Sequence, residues 1–97
     1  MPYDIVFSPE AVEDFKDFSA YDKASVGDAI QRHLLNNPMH ESKAKIKRLR
    51  GLEKPQYRLR IDEIRLFYDV DENRVEVLGI VEKKNASDWL EKEGVKE

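Results

Sequence analysis

The sequence predicts an α+β fold in which a helical hairpin packs on one face of a twisted, mainly antiparallel sheet. Apolar residues repeat at the helical period in the first third of the chain and at the strand period of two after Leu52. Turn residues divide this second part into short runs, which is typical of an antiparallel meander. A chain of 97 residues is expected to form one domain over 1–97 with a single modest core.

The first part of the chain predicts one strand followed by two helices. Residues 3–7 place apolar side chains at every second position, as a short strand does. Ser8-Pro9 then favours a helix start, because serine can cap free amides and proline at the first helical position loses no needed donor. The second helix is expected to start at Ser19 or Asp22 and to stop before Pro38, since proline disfavours helical geometry in the residue before it.

The second part predicts three strands and a closing helix, for an overall order of β-α-α-β-β-β-α. Alternating runs at 57–61 and 64–70 flank a tight turn, and a third run at 75–81 is apolar on both sides. We therefore expect the third run to be an inner strand covered on both faces. Asn85 is a candidate cap for the last helix, and Gly94 is its candidate stop.

Composition excludes several classes of protein. There is no cysteine, so disulfides, zinc–thiolate sites, iron–sulfur clusters and cysteine nucleophiles are ruled out. No apolar run approaches the roughly 20 residues of a membrane-spanning helix. Carboxylates show no metal-site spacing. We expect a cytoplasmic protein with no cofactor, no metal and no membrane partner.

The net charge of −3 hides a strongly basic middle segment. Residues 43–65 carry a formal charge of +6, whereas 1–42 carry −5 and 66–97 carry −4. Such segregation points to a polyanionic partner.

Strand phasing gathers three arginines on one face of the predicted sheet. If Tyr57, Leu59 and Ile61 face the core, Arg58 and Arg60 project from the opposite face. The turn at 62–63 then brings Arg65 within cross-strand reach of Arg60. Arginine recognises phosphate in a planar, bidentate manner, so this face is a candidate site for a phosphate-rich ligand, for an acidic protein segment, or for both at different times. The alternative is a solvated face whose charges are balanced by nearby acids.

Several segments, taken together, resemble the RelE/ParE superfamily of bacterial toxins from type II toxin–antitoxin operons. They are Phe7-Ser8-Pro9-Glu10-Ala11, Arg48-Leu49-Arg50-Gly51, Tyr57-Arg58-Leu59-Arg60, the run from Ile64 to Asp69, and the last strand with its basic exit at Lys83-Lys84. The resemblance covers nearly the whole chain and implies a compact β-α-α-β-β-β fold.

The resemblance also implies an activity and a site. Members of one branch cut messenger RNA in the ribosomal A site, by metal-free attack of a 2′-hydroxyl, and the catalytic positions of that branch fall on Arg58, Arg60, Arg65 and Lys84. The expected RNA-binding residues are Lys47, Arg48, Arg50 and Lys83. The implied partners are the ribosome with its mRNA and a cognate antitoxin that forms a hetero-oligomer with the toxin and covers the arginines with an acidic segment.

Two departures from this branch keep other activities open. Arg60 stands where a lysine often serves as the base, and arginine stays protonated at neutral pH. The tyrosine expected near the C-terminus is absent, and Trp89 occupies the region with an expected role in packing. The alternatives are a DNA gyrase inhibitor, as in the ParE branch, or a non-catalytic member that only binds antitoxin. His33 is expected to be a partly buried helix residue, and Tyr68 a core residue.

Overall fold

A computed structural model describes residues 2–97 and confirms the predicted α+β architecture. The order of elements also agrees with the prediction, apart from three additional short strands. The elements are β1 (Asp4–Phe7), α1 (Pro9–Lys16), α2 (Ala20–Ala29), β2 (Ile46–Arg48), β3 (Leu52–Lys54), β4 (Tyr57–Ile61), β5 (Ile64–Asp71), β6 (Arg74–Glu82), α3 (Ala86–Glu93) and β7 (Val95–Lys96).

Five strands form one sheet in the order β1-β6-β5-β4-β2. The β1–β6 pair is parallel, and the other three pairs in this sheet are antiparallel. The third predicted run is β6, which is an inner strand as expected, with β5 in the middle of the sheet. A bulge between Phe67 and Tyr68 shifts the β5–β6 register. Beyond the bulge, Gly79 lies opposite Phe67.

The three strands that sequence patterns did not predict are short and mostly polar. β2 pairs with β4 at the edge of the main sheet, and β3 pairs with β7 in a separate two-stranded ribbon. Neither β2, with Ile46 as its one buried residue, nor the two-residue β7 carries an alternating pattern. They form because tertiary pairing satisfies their backbone groups.

Serine side chains cap the first two helices: Ser8 as predicted, and Ser19 as one of the two predicted starts of the second helix. The Oγ atoms of Ser8 and Ser19 accept from the amides of Ala11 and Asp22, each at 3.1 Å. The second helix continues past α2 as a π-helical turn, Ile30–Leu34, which ends before Pro38. None of the helices in residues 2–97 has the length and apolar character needed to cross a membrane.

The core lies between the helical hairpin and one face of the sheet. Buried residues of α1, α2 and the π-helical turn meet buried residues of β4, β5 and β6 there. Tyr57 and Tyr68 stack with ring centroids 5.4 Å apart, and Tyr68 donates its hydroxyl hydrogen to the Pro38 carbonyl. Burial raises the pKa of the Tyr68 hydroxyl. Tyr68 is therefore a core residue, as expected.

The opposite face of the sheet is partly covered by α3. Trp89 stacks on Phe67 with ring centroids 4.8 Å apart and planes within 6° of parallel, and the indole lies directly over Gly79. Trp89 therefore packs, as predicted. Asn85 precedes α3 as expected, but its side chain makes no capping hydrogen bond, because a 3₁₀ turn at Lys83–Asn85 leads into the helix with helical backbone angles. Gly94 ends α3 at the predicted residue.

Replacing Tyr68 by phenylalanine should lower the free energy of unfolding by about 1–2 kcal/mol, because the buried Pro38 carbonyl loses its donor. Chemical denaturation measures this. Tyr57→Phe is the matched control, since the Tyr57 hydroxyl makes no hydrogen bond within the described residues, and it should be nearly neutral. Equal effects of the two variants would contradict the assigned role of the Tyr68 hydroxyl.

Gly79→Ala should destabilise the protein by about 1–3 kcal/mol, because the added methyl group would overlap the Trp89 indole and push it off Phe67. The chain has a single tryptophan, so its fluorescence should shift to longer wavelength in the variant. Gly27→Ala is the control: it lies in α2 with no atom within 4 Å of the added carbon. It should stabilise the protein slightly, and a similar loss in both variants would contradict the packing argument.

Candidate functional site

The register of the sheet places four cationic side chains on one face, which we call the arginine face: Lys47, Arg58, Arg60 and Arg65. Arg60 lies directly opposite Arg65 in the β4–β5 pair, and Lys47 lies opposite Arg58 in the β2–β4 pair. Residues directly opposite each other project from the same face of a sheet. Arg58 and Arg60, two apart on β4, share that face as well. The predicted grouping of the three arginines is therefore present.

Arg65 is the most buried member of the arginine face and holds the turn between β4 and β5. It is 7% exposed. Its Nη1 donates to the carbonyls of Asp62, at 2.8 Å, and of Ile64, at 3.0 Å. Asp62 has a φ of 51°, in the left-handed region. The guanidinium of Arg65 thus fixes an uncommon turn conformation and also places a positive charge beneath its neighbours.

Arg58 has an unsatisfied donor in the middle of the arginine face. Its Nε is buried and has no hydrogen-bond partner within the described residues. Burial lowers the pKa of the Arg58 guanidinium, and the positive charges of Arg65 and Arg60 lower it further. Buried polar atoms are nearly always paired in native proteins, so this unpaired donor distinguishes Arg58 from the other members of the face.

No member of the arginine face forms an ion pair within residues 2–97. The three ion pairs within residues 2–97 join Lys16 to Glu13, Arg32 to Asp28, and Lys54 to Glu76. The positive charges of Arg58, Arg60 and Arg65 therefore repel one another, and no ion pair offsets this repulsion. A phosphate-like anion bound at the partly exposed guanidinium of Arg58 would reduce the repulsion.

The remaining predicted site residues lie around this face or away from it. Arg48 projects from the opposite face, where its Cζ lies 5.1 Å from the centre of the Tyr57 ring. Arg50 is exposed in the turn between β2 and β3. Lys83 and Lys84 are exposed in the 3₁₀ turn after β6, and the Lys83 amide donates to the Glu63 carbonyl at 2.7 Å. This bond places both lysines at the same end of the sheet as Arg60 and Arg65.

Two grooves lie next to the arginines on the β2–β4 side of the sheet. One, of about 500 Å³, is lined by Lys43, Lys47 and Arg58 together with Glu41, Ser42 and Ile46. The other, of about 310 Å³, is lined by Arg60, Lys45 and His33 together with residues of α2. Burial lowers the pKa of His33, and the charges of Lys45 and Arg32 lower it further, so its imidazole is neutral at pH 7.

His33 is a partly buried helix residue, as predicted, and its side chain also lines the groove beside Arg60. Sequence reasoning did not predict strand β2, whose pairing with β4 brings Lys47 beside Arg58. Gly79 in the sequence could have indicated the close approach of Trp89, since glycine inside a strand often marks a close approach by another group.

In the part of the chain that the structure describes, no cluster of three or more histidines and carboxylates could hold a metal ion.

Comparison with known proteins identifies related chains. Residues 5–86 match the family model described as the ParE toxin of the type II toxin–antitoxin system parDE. No curated protein matches the chain. The toxin–antitoxin complex RelBE2 from Mycobacterium tuberculosis has a chain with 23% identity and a TM-score of 0.68, covering 84% of this chain and 99% of that one.

Two further solved structures are similar to this chain. The free state of a mutant of the E. coli toxin RelE has 24% identity and a TM-score of 0.68, covering 91% of this chain and 90% of that one. The YoeB dimer from Staphylococcus aureus has 30% identity and a TM-score of 0.56, covering 79% of this chain and 92% of that one.

Arg58→Met should make the protein more stable but weaken its binding of anions. The substitution removes a buried unsatisfied donor and a like-charge repulsion, so the free energy of unfolding should rise by about 1 kcal/mol. Inorganic phosphate should raise the melting temperature of the native chain, relative to chloride at equal ionic strength, and should raise that of the variant much less.

Arg74→Met is the matched control, because Arg74 is exposed at the opposite end of β6. It should leave the response to phosphate unchanged. An Arg58→Met variant that keeps the full response would show that Arg58 does not bind the anion.

Proposed function

The chain belongs to the RelE/ParE superfamily of type II toxin–antitoxin toxins, and from this premise we propose that it is a ribosome-dependent endoribonuclease that cleaves mRNA. The observation that carries the proposal is the buried, unpartnered Nε of Arg58 among like charges. A site that only bound a polyanion would be served by exposed, flexible lysines. A partly buried guanidinium among like charges suits the negative charge that develops on a phosphate.

The proposed reaction needs no metal. The 2′-oxygen of a ribose attacks the adjacent phosphorus, the bond from phosphorus to the 5′-oxygen breaks, and a 2′,3′-cyclic phosphate and a 5′-hydroxyl form. One proton leaves the 2′-hydroxyl and one joins the departing 5′-oxygen. Negative charge accumulates on the non-bridging oxygens, where Arg58 and Arg60 provide cations.

The members of the arginine face take different parts in this proposal. Arg58 and Arg60 stabilise the transition state, whereas Arg65 acts mainly as a positioning residue because its Nη1 is engaged by two carbonyls. The mRNA phosphates beside the cleaved one are bound by Lys47, Arg50 and Lys83. Arg48 is a peripheral RNA contact on the other face. Two groups are candidates for proton transfer, Lys84 at the exit of β6 and the neutral imidazole of His33 beside Arg60.

Inhibition of DNA gyrase is the second candidate function. The matching family model is that of the ParE toxin. Arg60 also favours this candidate, because arginine stays protonated and does not serve as a general base at neutral pH. In this case the arginine face binds its target without chemistry.

An antitoxin is the partner of a type II toxin, and RelBE2 is a toxin–antitoxin complex. We infer that an acidic segment of the cognate antitoxin covers the arginine face in a hetero-oligomer and prevents access of mRNA on the ribosome. Binding through several charge pairs should weaken as salt rises. We propose that the protein meets the antitoxin and the ribosome in the cytoplasm.

In a purified translation system, the native chain should cut mRNA at ribosome-occupied codons, and Arg58→Met should lower the cleavage rate by about 10²–10³-fold. Primer extension of the mRNA measures cleavage. Arg74→Met is again the matched control and should cleave at the native rate. The loss should occur although Arg58→Met is the more stable protein.

The same preparations distinguish the other functions. Gyrase–DNA breaks trapped by the native chain, with mRNA intact, would overturn the nuclease proposal in favour of gyrase inhibition. Intact mRNA and no trapped breaks would leave a non-catalytic antitoxin-binding protein. If cleavage is observed, the pH–rate profiles of His33→Ala and Lys84→Ala identify the proton acceptor. Removing the acceptor should abolish the rise in cleavage rate that follows its deprotonation.

A further inference from the structure

A second charged surface lies between the helices and the end of the sheet. We call it the acidic groove, a concavity of about 640 Å³ with six carboxylates in its lining and no basic residue. The apolar part of its lining includes Phe18, Ile64 and Ile80, and Tyr21 stands on its rim with 75% of its surface exposed. The carboxylates come from the two helices, the 62–63 turn and the end of β6: Asp14, Asp17, Asp22, Asp62, Glu63 and Glu82.

These carboxylates have no ion-pair partner within residues 2–97. None of the ion pairs found in residues 2–97 includes any of the six. They are also too dispersed to hold a metal ion, since no metal-competent cluster occurs in that range. A ligand that neutralises them must therefore carry several positive charges spread over a distance, as an extended basic peptide does.

The acidic groove also contains an unpaired sheet edge. β1 pairs with β6 only along Arg74–Val77, so the following part of β6 has no strand beside it on that side. Residues Ile80, Val81 and Glu82 of this edge line the groove. An unpaired edge presents a row of backbone donors and acceptors to any extended chain that lies beside it.

The direction of the backbone groups on this edge follows from one hydrogen bond. The Ile80 amide points away from β5 and donates to Oδ2 of Asp14 at 3.0 Å. Residues two apart on a strand point their amides the same way, so the Glu82 amide also points into the groove. Lys83, which follows Glu82, fits this alternation, because its amide points to the β5 side and donates to the Glu63 carbonyl. Asp14, whose pKa is raised by burial, thus serves as a side-chain substitute for one bond of a missing strand.

We propose that the acidic groove binds an extended, lysine- or arginine-rich segment of a partner protein, which adds as a strand to β6 at Ile80–Glu82. The Glu82 amide supplies the backbone hydrogen bond that aligns the segment, as in other cases of strand addition, since the Ile80 amide is already bonded to Asp14. Apolar side chains of the segment contact Phe18 and Tyr21, and its basic side chains meet the carboxylates.

This surface is distinct from the arginine face. The acidic groove opens on the helical side of the sheet, whereas Arg58 and Arg60 project from the opposite side. The two surfaces adjoin at the 62–63 turn, whose carbonyl at Asp62 accepts from Arg65, and at Ser25 and Ile61, which line both the acidic groove and the groove beside Arg60. The inference therefore stands whether the arginine face cleaves RNA or only binds an anion.

The test uses a fluorescent eight-residue peptide in which lysine and valine alternate. The full chain is titrated into this peptide, and the fluorescence anisotropy of the peptide measures binding. A peptide with glutamate in place of lysine should bind at least tenfold more weakly. A triple variant of the groove, Asp17→Asn with Glu63→Gln and Glu82→Gln, should also lower affinity at least tenfold. The matched control neutralises three exposed carboxylates elsewhere, Asp71→Asn with Glu91→Gln and Glu97→Gln, and should change affinity less than twofold.

Two further measurements separate strand addition from general attraction between charges. Two forms of the lysine–valine peptide carry methyl groups on alternate backbone nitrogens, one on the odd and one on the even positions. The form whose methyl groups face β6 should bind at least tenfold more weakly than the unmodified peptide. Hydrogen exchange at the Glu82 amide should slow when the unmodified peptide binds. The proposal would be overturned if the two triple variants lost equal affinity for the peptide. It would also be overturned if both methylated peptides bound as tightly as the unmodified one.

Discussion

The register of the β4–β5 hairpin is the constraint on which both the core and the candidate site depend. Side chains alternate between the faces of a strand, so a shift of one residue would exchange the two sets. In the observed register Leu59 lies opposite Leu66 on the core face, and Arg60 lies opposite Arg65 on the other. Arg65 itself secures this register, because its guanidinium bonds the carbonyls of Asp62 and Ile64 at the turn. One of the clustered cations is therefore also a structural element of the hairpin that presents the others.

Elements with a clear period were predictable from the sequence. The alternation at 57–61 and 64–70 fixed the phase of the strands, and with it the shared face of Arg58, Arg60 and Arg65. The serine caps at Ser8 and Ser19 marked both helix starts. Family membership followed from the order and spacing of these segments, and the family model confirmed it.

The features that were not predictable arise from contacts distant in sequence. β2 forms because β4 provides a partner, and this pairing places Lys47 with Arg58 but sends Arg48 to the other face. The burial of Arg65 and the unpartnered Nε of Arg58 depend on side-chain packing that strand phasing does not describe. His33 has the same origin, since only the assembled fold brings the π-helical turn beside Arg60. Local pattern thus defines which face a residue occupies, and tertiary structure defines what that residue meets there.

The acidic groove and the arginine face place carboxylates and cations on separate surfaces of this small protein, whose net charge is only −3. The field of a polyanion would rotate the approaching molecule so that its cations lead and its carboxylates trail. Orientation during diffusion raises the fraction of encounters that begin with the correct face, and this gain declines as ionic strength rises. Net charge alone would predict that such a protein is repelled by nucleic acid. The separation of its charges across the sheet instead predicts attraction at close range and a preferred direction of approach.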